Sequence, residues 1–293
     1  MIEQAKIKNE QEGMGYKMAQ LCGWHGISRQ AHYQQRWRDQ SQVVVEEQVL
    51  ALVRGIRERH PRLGGRKLHH ELQEPLAKLE IDMGRDRFFS LLARHDLLVP
   101  PLRRQRRTTW AGLWRCPHRL AEVRVRRVQQ AWVADITYLE TQRGFCYLSL
   151  VTDLYSHAIV GFDVCTSLAV EGALRALNMA IDQSHGSLAG LIHHSDHGVQ
   201  YTCYAYRDRL QAVNALSSMG QVGNCYDNAV AERLNGILKQ EYGLGDRLVD
   251  FDHATVATQQ AVWLYNHERP HCSLALQKPM VVHLNHQFII SNA

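Results

Sequence analysis

Three acidic residues stand where acids are unusual. Asp135 interrupts the alternating apolar run "QAWVADITYLE", which reads as a half-buried strand in which an unpaired carboxylate is expensive. Asp196 closes a second apolar run, "GLIHHSD", where a strand gives way to a polar loop. Glu232 lies in "DNAVAERLNGILKQEY", a helix on which Asn228, Glu232, Asn235 and Lys239 make a polar stripe beside Val230, Leu234, Ile237 and Leu238. If the two strands are neighbours and the helix packs across them, the three carboxylates converge. Such a set suits hard divalent cations, which take oxygen ligands, and two such ions roughly 4 Å apart can hold the attacking and leaving oxygens of a phosphodiester displacement. Singly, each acid has a plainer reading: a core ion pair for Asp135, a turn cap through His197 and Gly198 for Asp196, and a surface pair for Glu232.

The elements that must position these acids follow from periodicity. In the first strand Val133, Asp135 and Thr137 share one face, and Trp132, Ala134, Ile136 and Tyr138 the other. A turn at "TQRG" leads into "FCYLSLVTD" and then "HAIVGFDV", so the first three strands are antiparallel neighbours. A helix over 169–184 carries Leu174, Leu177 and Ile181 on its apolar stripe. The strand ending at Asp196, a short helix "AYRDRLQA", an extended "VNALSS" and the helix of Glu232 follow. This order implies an α/β architecture, a mixed sheet with helices flanking it.

The first third of the chain reads as helical. Residues 16–37 break near Gly26 and resume at a capping Ser28, the outline of a helix-turn-helix with Arg29, Gln30, His32 and Tyr33 opening its second helix. Residues 43–59 form an amphipathic helix with Val45, Val49, Leu52 and Ile56 on one face. "PRLGGRKLHHEL", with Arg66, and "IDMGRDRFFSLLARHDLLV" give two more. In the latter Phe88, Leu91, Leu92 and His95 face the core, and Arg85, Arg87 and Arg94 remain available to phosphate.

Between the helical and strand-rich parts, residues 100–130 hold nine arginines, among them Arg103, Arg104, Arg106, Arg107, Arg124, Arg126 and Arg127, against the single acid Glu122. Such a run is either a solvated connector or an arm on a nucleic-acid backbone, and Trp110, Leu113 and Trp114 within it favour the arm. The formal net charge of +5 agrees with a polyanionic partner. Seven cysteines without a C-x-x-C pair indicate neither a disulfide scaffold nor a structural zinc of common spacing. His193, His194, His197 and Cys203 invite a zinc reading, yet the neighbouring histidines point to opposite faces of a strand. With no leader-like apolar core and no membrane-spanning run, a cytoplasmic, nucleoid-associated chain is expected.

"WVADITYL", "HHSDHGVQY", "SSMGQVGNCYDNAVAERLNGILKQEY" and "YNHERPHCSLALQKP" together resemble the second-reading-frame product of bacterial insertion-sequence transposases in the retroviral-integrase superfamily. The resemblance is strong over 130–280 and looser over 45–125. The family's acidic triad maps onto Asp135, Asp196 and Glu232, with the family's interval of 35 residues between the last two. It implies a ribonuclease-H-like five-stranded core, dependence on Mg²⁺ with Mn²⁺ as a substitute, and cleavage and joining of double-stranded DNA at terminal repeats and targets. Trp132, Thr137, His194, Gly198, Asn224, Asp227 and Asn228 match positions around the family's acids. Asn228 or Lys239 is expected to hold the substrate strand, and Arg269 of "YNHERPH" to contact a phosphate. The family's first reading frame adds a helix-turn-helix and a coiled coil, so a partner product or fusion, and a homo-oligomer on DNA, are expected too.

The implied organisation is an N-terminal helical segment at 1–42, a helical DNA-binding subdomain at 43–99, a basic linker at 100–130, the catalytic core at 131–245 and a helical extension at 246–293. Two alternatives use the same residues differently. A nuclease of this fold would cut without joining, and a non-catalytic DNA-binding regulator would leave the three acids unexplained.

Overall fold

The computed structural model describes residues 7, 11, 15–100, 116–220 and 229–291. Its chain forms two compact units, Met1–Gly55 with Leu72–His95, and Ile56–Glu71 with Asp96–Ala293.

In the first unit, α1 (Met18–Trp24) stops at a turn where Gly26 takes a φ of +69°, a region that glycine enters freely. Helix α2 (Arg29–Arg59) then starts as expected, with the Ala31 N–H donating to Ser28 Oγ at 3.1 Å. It continues unbroken through the boundary expected at 43, because residues 38–45 contain neither Gly nor Pro to stop it. Helix α3 (Gly65–Lys78) likewise runs past residue 72 and through Pro75. Helix α4 (Arg85–Arg94) buries Phe88, Leu91 and Leu92, and Val49 and Val53 of α2 are buried as well. His95 departs from expectation: it caps the end of α4 and is exposed, since the helix stops before its side chain reaches the core face.

The second unit holds the sheet: β1 (Ala131–Thr141), β2 (Gly144–Asp153), β3 (Ile159–Cys165), then α5 (Val170–Asp182), β4 (Ile192–Ser195), α6 (Val199–Thr202), α7 (Tyr204–Ala212), β5 (Leu216–Met219), α8 (Ala229–Glu241), α9 (Phe251–His267) and α10 (Pro279–Ser291). The strand order is β3-β2-β1-β4-β5, antiparallel among the first three and parallel from β1 to β4 to β5. This is the mixed five-stranded, ribonuclease-H-like sheet with flanking helices.

The alternation read in β1 sorts its side chains as expected. Trp132 and Ala134 join a core with Ala173, Ala176 and Leu177 of α5 and Tyr206 and Leu210 of α7. Leu139, on the other face, joins Leu148 and Leu150 of β2, Leu234, Ile237 and Leu238 of α8, and Val262 and Tyr265 of α9. Helix α8 ends in a glycine turn, with Gly243 at a φ of +74° and the Gly245 N–H donating to the Lys239 carbonyl at 3.1 Å. Among the described residues no helix is long and apolar enough to cross a membrane.

Candidate active site

Strands β1 and β4 lie parallel, with Ala131, Trp132 and Val133 opposite Ile192, His193 and His194. Asp135 lies two residues beyond the last of these pairs and Asp196 one residue past the end of β4, close enough for the Asp196 charge to act on Asp135. Asp196 also performs the plainer task read for it, because its Oδ1 accepts the Gly198 N–H at 2.9 Å. A Cβ on Gly198 would stand 2.9 Å from that oxygen and 3.1 Å from Gln200 Oε1, so a larger residue there would push on the Asp196 carboxylate.

From the other side α8 reaches in. Asn235 Nδ2 donates to Asp135 Oδ2 at 2.6 Å, which fixes that helix over β1. Glu232 sits one turn earlier, exposed, in the first turn of α8. Lys239, one turn later, is half-buried, and burial holds its ammonium below its ordinary pKa while the Asp135 charge pulls it back up.

The electrostatics show which charges meet. Burial pushes the Asp135 carboxyl up to about 7, the Asp196 charge and then Glu232 add to the rise, and the Ile136 N–H and Asn235 oppose it. Burial also raises Asp196, against the pull of the Gly198 N–H and His197. Two carboxylates stand side by side where desolvation and like charge both disfavour ionisation. A third acid flanks them at electrostatic range. Among the described residues no three of His, Cys, Asp and Glu form a cluster able to hold a metal, so the full convergence expected of the triad is not closed here. In chemistry the donors still fit a hard divalent cation: oxygen ligands only, with a surplus of negative charge that such an ion relieves.

The residues expected around the acids fall into distinct places. Trp132 is 1% exposed in the core on the opposite face, so it backs β1 from behind. Thr137, half-buried, is next but one to Asp135. His194 is buried with Nδ1 3.0 Å from Ser218 Oγ, whereas His193 pairs with the Tyr206 hydroxyl at 3.1 Å, so the two rings serve different neighbours. Asn228, Asn224, Asp227, Arg103, Arg104, Arg106 and Arg107 lie outside the described residues.

Arg269 requires correction. It is 1% exposed and gives a two-pronged bond to Glu241, Nε to Oε2 at 2.7 Å and Nη2 to Oε1 at 2.8 Å. A guanidinium committed inside the fold in this way does not reach a DNA phosphate.

Two residues lacked an assignment from sequence. Asn235 was visible only as a member of the polar stripe, since its partner is 100 positions away. Tyr201 closes the "HHSDHGVQY" stretch. Its hydroxyl is buried without a hydrogen-bond partner among the described residues, and the Asp135 and Asp196 charges add to the burial that raises its pKa.

Comparison with known proteins gives the family. A family model described as Integrase core domain matches residues 125–225, and a second of the same description matches residues 215–279. The uncharacterized 31 kDa protein of insertion element IS600 from Shigella sonnei is 34% identical over 263 residues, 88% of this chain and 96% of that one. The transposase of insertion sequence element IS629, also from Shigella sonnei, is 42% identical over 113 residues, 39% of this chain and 38% of that one. The chain belongs to the insertion-sequence transposases with an integrase core domain. Among solved structures, the HTLV-2 integrase catalytic core domain in complex with magnesium aligns with 53% of this transposase and 96% of itself, at 18% identity and a TM-score of 0.41.

The transposase thus acts in DNA recombination, as an enzyme of the polynucleotidyl transferase kind. Arg29, Arg66, Arg85, Arg87, Arg124, Arg126 and Arg127 are all exposed. At the start of α2, Arg29, Gln30, Tyr33, Gln34 and Trp37 line one open surface hollow.

Proposed function

We propose that this transposase cleaves DNA at the ends of its insertion sequence and joins the freed 3′-hydroxyl to a new phosphodiester, in one divalent-metal-dependent site made by Asp135, Asp196 and Glu232. What supports this reading is that the Asp196 charge, just past the end of β4, bears on Asp135 of the neighbouring parallel strand, with α8 bonded to Asp135 through Asn235.

Asp135 and Asp196 would hold Mg²⁺, or Mn²⁺ in its place, and Glu232 would complete the set from α8. When bound, the ion supplies positive charge for the displaced oxygen and lowers the pKa of water. Asn235 holds the Asp135 carboxylate in one orientation. Lys239 and Asn228 are assigned to the substrate strand, and the exposed arginines, with the 103–107 run, to the phosphate backbone. In cleavage, a water oxygen bonds to phosphorus as the bond to the 3′-oxygen breaks. In joining, that 3′-oxygen bonds to a second phosphorus as another 3′-oxygen leaves, so one bond forms for each one broken. Two ends must be brought together, which calls for a dimer or larger assembly on DNA, with a first-frame product or fusion supplying additional end recognition.

The test is an incubation of purified protein, Mg²⁺ and a labelled element-end duplex, read for nicks and for joined products. Asp135→Asn, Asp196→Asn and Glu232→Gln should each lose both products, by about 10³-fold, while retaining duplex binding. Undiminished joining by any one of the three would sink the assignment. Nicks without joined strands from the parent protein would reduce the activity to that of a nuclease.

A further inference from the structure

Apart from Arg66, the motifs "PRLGGRK" and "NHERPH" find no place in the chemistry above. The structure brings both to the far end of α8. Glu241, the last residue of that helix, receives the two-pronged bond of Arg269 and stands 3.5 Å from Lys67 Nζ. The next residue, Tyr242, places its hydroxyl 3.1 Å from His60 Nδ1, and His60 Nε2 lies 3.1 Å from Glu268, which also binds Arg59 Nη1 at 2.7 Å. Arg269 stacks over the Tyr265 ring at 5.6 Å.

Local preference does not explain an acid here. A carboxylate at a helix C-terminus opposes the helix dipole, and this one is largely buried, yet the Arg269 guanidinium and Lys67 outweigh burial and hold its pKa below the ordinary value. Nor is stability a sufficient reason, because a buried ion pair often gains nothing over apolar residues of the same volume. What the pair does supply is direction. Asn235 and Glu241 are six positions apart, which places them on well-separated azimuths of α8. One tether fastens the helix to β1 and the other to Arg269, just past the end of α9, and to Lys67. A helix with side-chain tips about 5–6 Å from its axis moves them by about 1 Å for a roll of 10°, a displacement on the scale that costs about 10²-fold in rate.

We infer that the Glu241–Arg269–Lys67 cluster is a positioning device for the active site: it stops α8 from rolling and so sets where Glu232 stands relative to Asp135 and Asp196. This deepens the metal-dependent reading above and rests on it.

The test uses the full chain and Mn²⁺ binding followed by electron paramagnetic resonance, beside thermal unfolding, duplex binding and strand cleavage. The triple variant Glu241→Leu/Arg269→Met/Lys67→Met replaces the charges with apolar bulk. It should fold and bind duplex as the parent does, yet bind Mn²⁺ at least tenfold more weakly and cleave about 10²-fold more slowly. Should it fail to fold, Arg269→Lys decides, since it keeps the charge and loses the fork; a tenfold weaker Mn²⁺ affinity supports the device. Mn²⁺ affinity within twofold of the parent, in whichever variant folds, overturns it. Glu232→Gln is the control: if it weakens Mn²⁺ binding while the cluster variants do not, only the positioning idea fails, and if it too leaves Mn²⁺ binding unchanged, the triad reading itself is lost.

Discussion

At the scale of single residues, Asp135 sets the balance between folding and function. Its carboxyl is pushed up to about 7 by burial and by the neighbouring acids, against about 3.9 for an aspartate in an unfolded chain. Between those values the native state holds a proton that the unfolded state has released, so stability falls as pH rises from about 4 to about 7 and levels off above. Asp135→Asn removes this dependence. Without added metal, the variant should melt above the parent at pH 8, by an amount equivalent to no more than about 4 kcal/mol, with the gap closing toward pH 4. Millimolar Mg²⁺ at pH 8 should raise the parent's melting temperature and leave the variant's unchanged. Scanning calorimetry across pH 4–8 with and without Mg²⁺ measures both, and a parent whose stability is flat over that range would refute the assignment of Asp135 as a carboxylate strained by its neighbours. The residue was legible in the sequence because a carboxylate inside an alternating apolar strand is costly. Arg269 was not: by type and motif it suits a phosphate, and only the buried Glu241, 28 positions earlier, shows where its charge is spent.

At the scale of elements, the sheet depends on how closely α5 can approach it. Gly161 in β3 faces Ala176 and Ala180 of α5, and a Cβ at that glycine would collide with the Ala176 carbonyl oxygen and stand 2.9 Å from the Ala180 N. Both obstacles are backbone atoms of a helix, which cannot step aside as a side-chain tip would. Gly161→Ala should therefore destabilise the second unit by about 3 kcal/mol or more, lowering the denaturant midpoint, whereas Gly186→Ala, where a Cβ has open space, isolates the cost of a positive φ alone. Equal midpoints for Gly161→Ala and the parent would mean that α5 sits further from β3 than described. The strands, their order of appearance and the faces of β1 were readable from period-two alternation, since each strand is buried on a face its own sequence marks. The single helix across 29–59 was not, because a polar stretch at 38–42 resembles a linker until one notes that it holds no residue that breaks a helix.

At the scale of the whole molecule, the two units interleave along the chain: Ile56–Glu71 belongs with the sheet, although Leu72–His95, which follows it, belongs with Met1–Gly55. No single cut separates them. The short segment brings the second unit two fully buried leucines, Leu63 and Leu68, together with Arg59, His60 and Lys67, whose partners Glu268, Tyr242 and Glu241 lie on or beside α8 and α9. A fragment that keeps the matched integrase core but begins at residue 116, ahead of the match at 125, loses all of these. It strips Glu268 of Arg59, Glu241 of Lys67 and the Tyr242 hydroxyl of His60. The fragment 116–293 should accordingly unfold at lower denaturant than the sheet does within the full chain, by about 2 kcal/mol for the lost charged hydrogen bonds, and supplying 56–71 as a separate peptide in excess should recover part of that loss by mass action. Chemical denaturation followed by the fluorescence of Trp132, with Trp263→Phe to isolate its signal in the fragment, reads this directly. A fragment as stable as the sheet in the intact transposase would show that the segment merely lies against the core and contributes nothing to it.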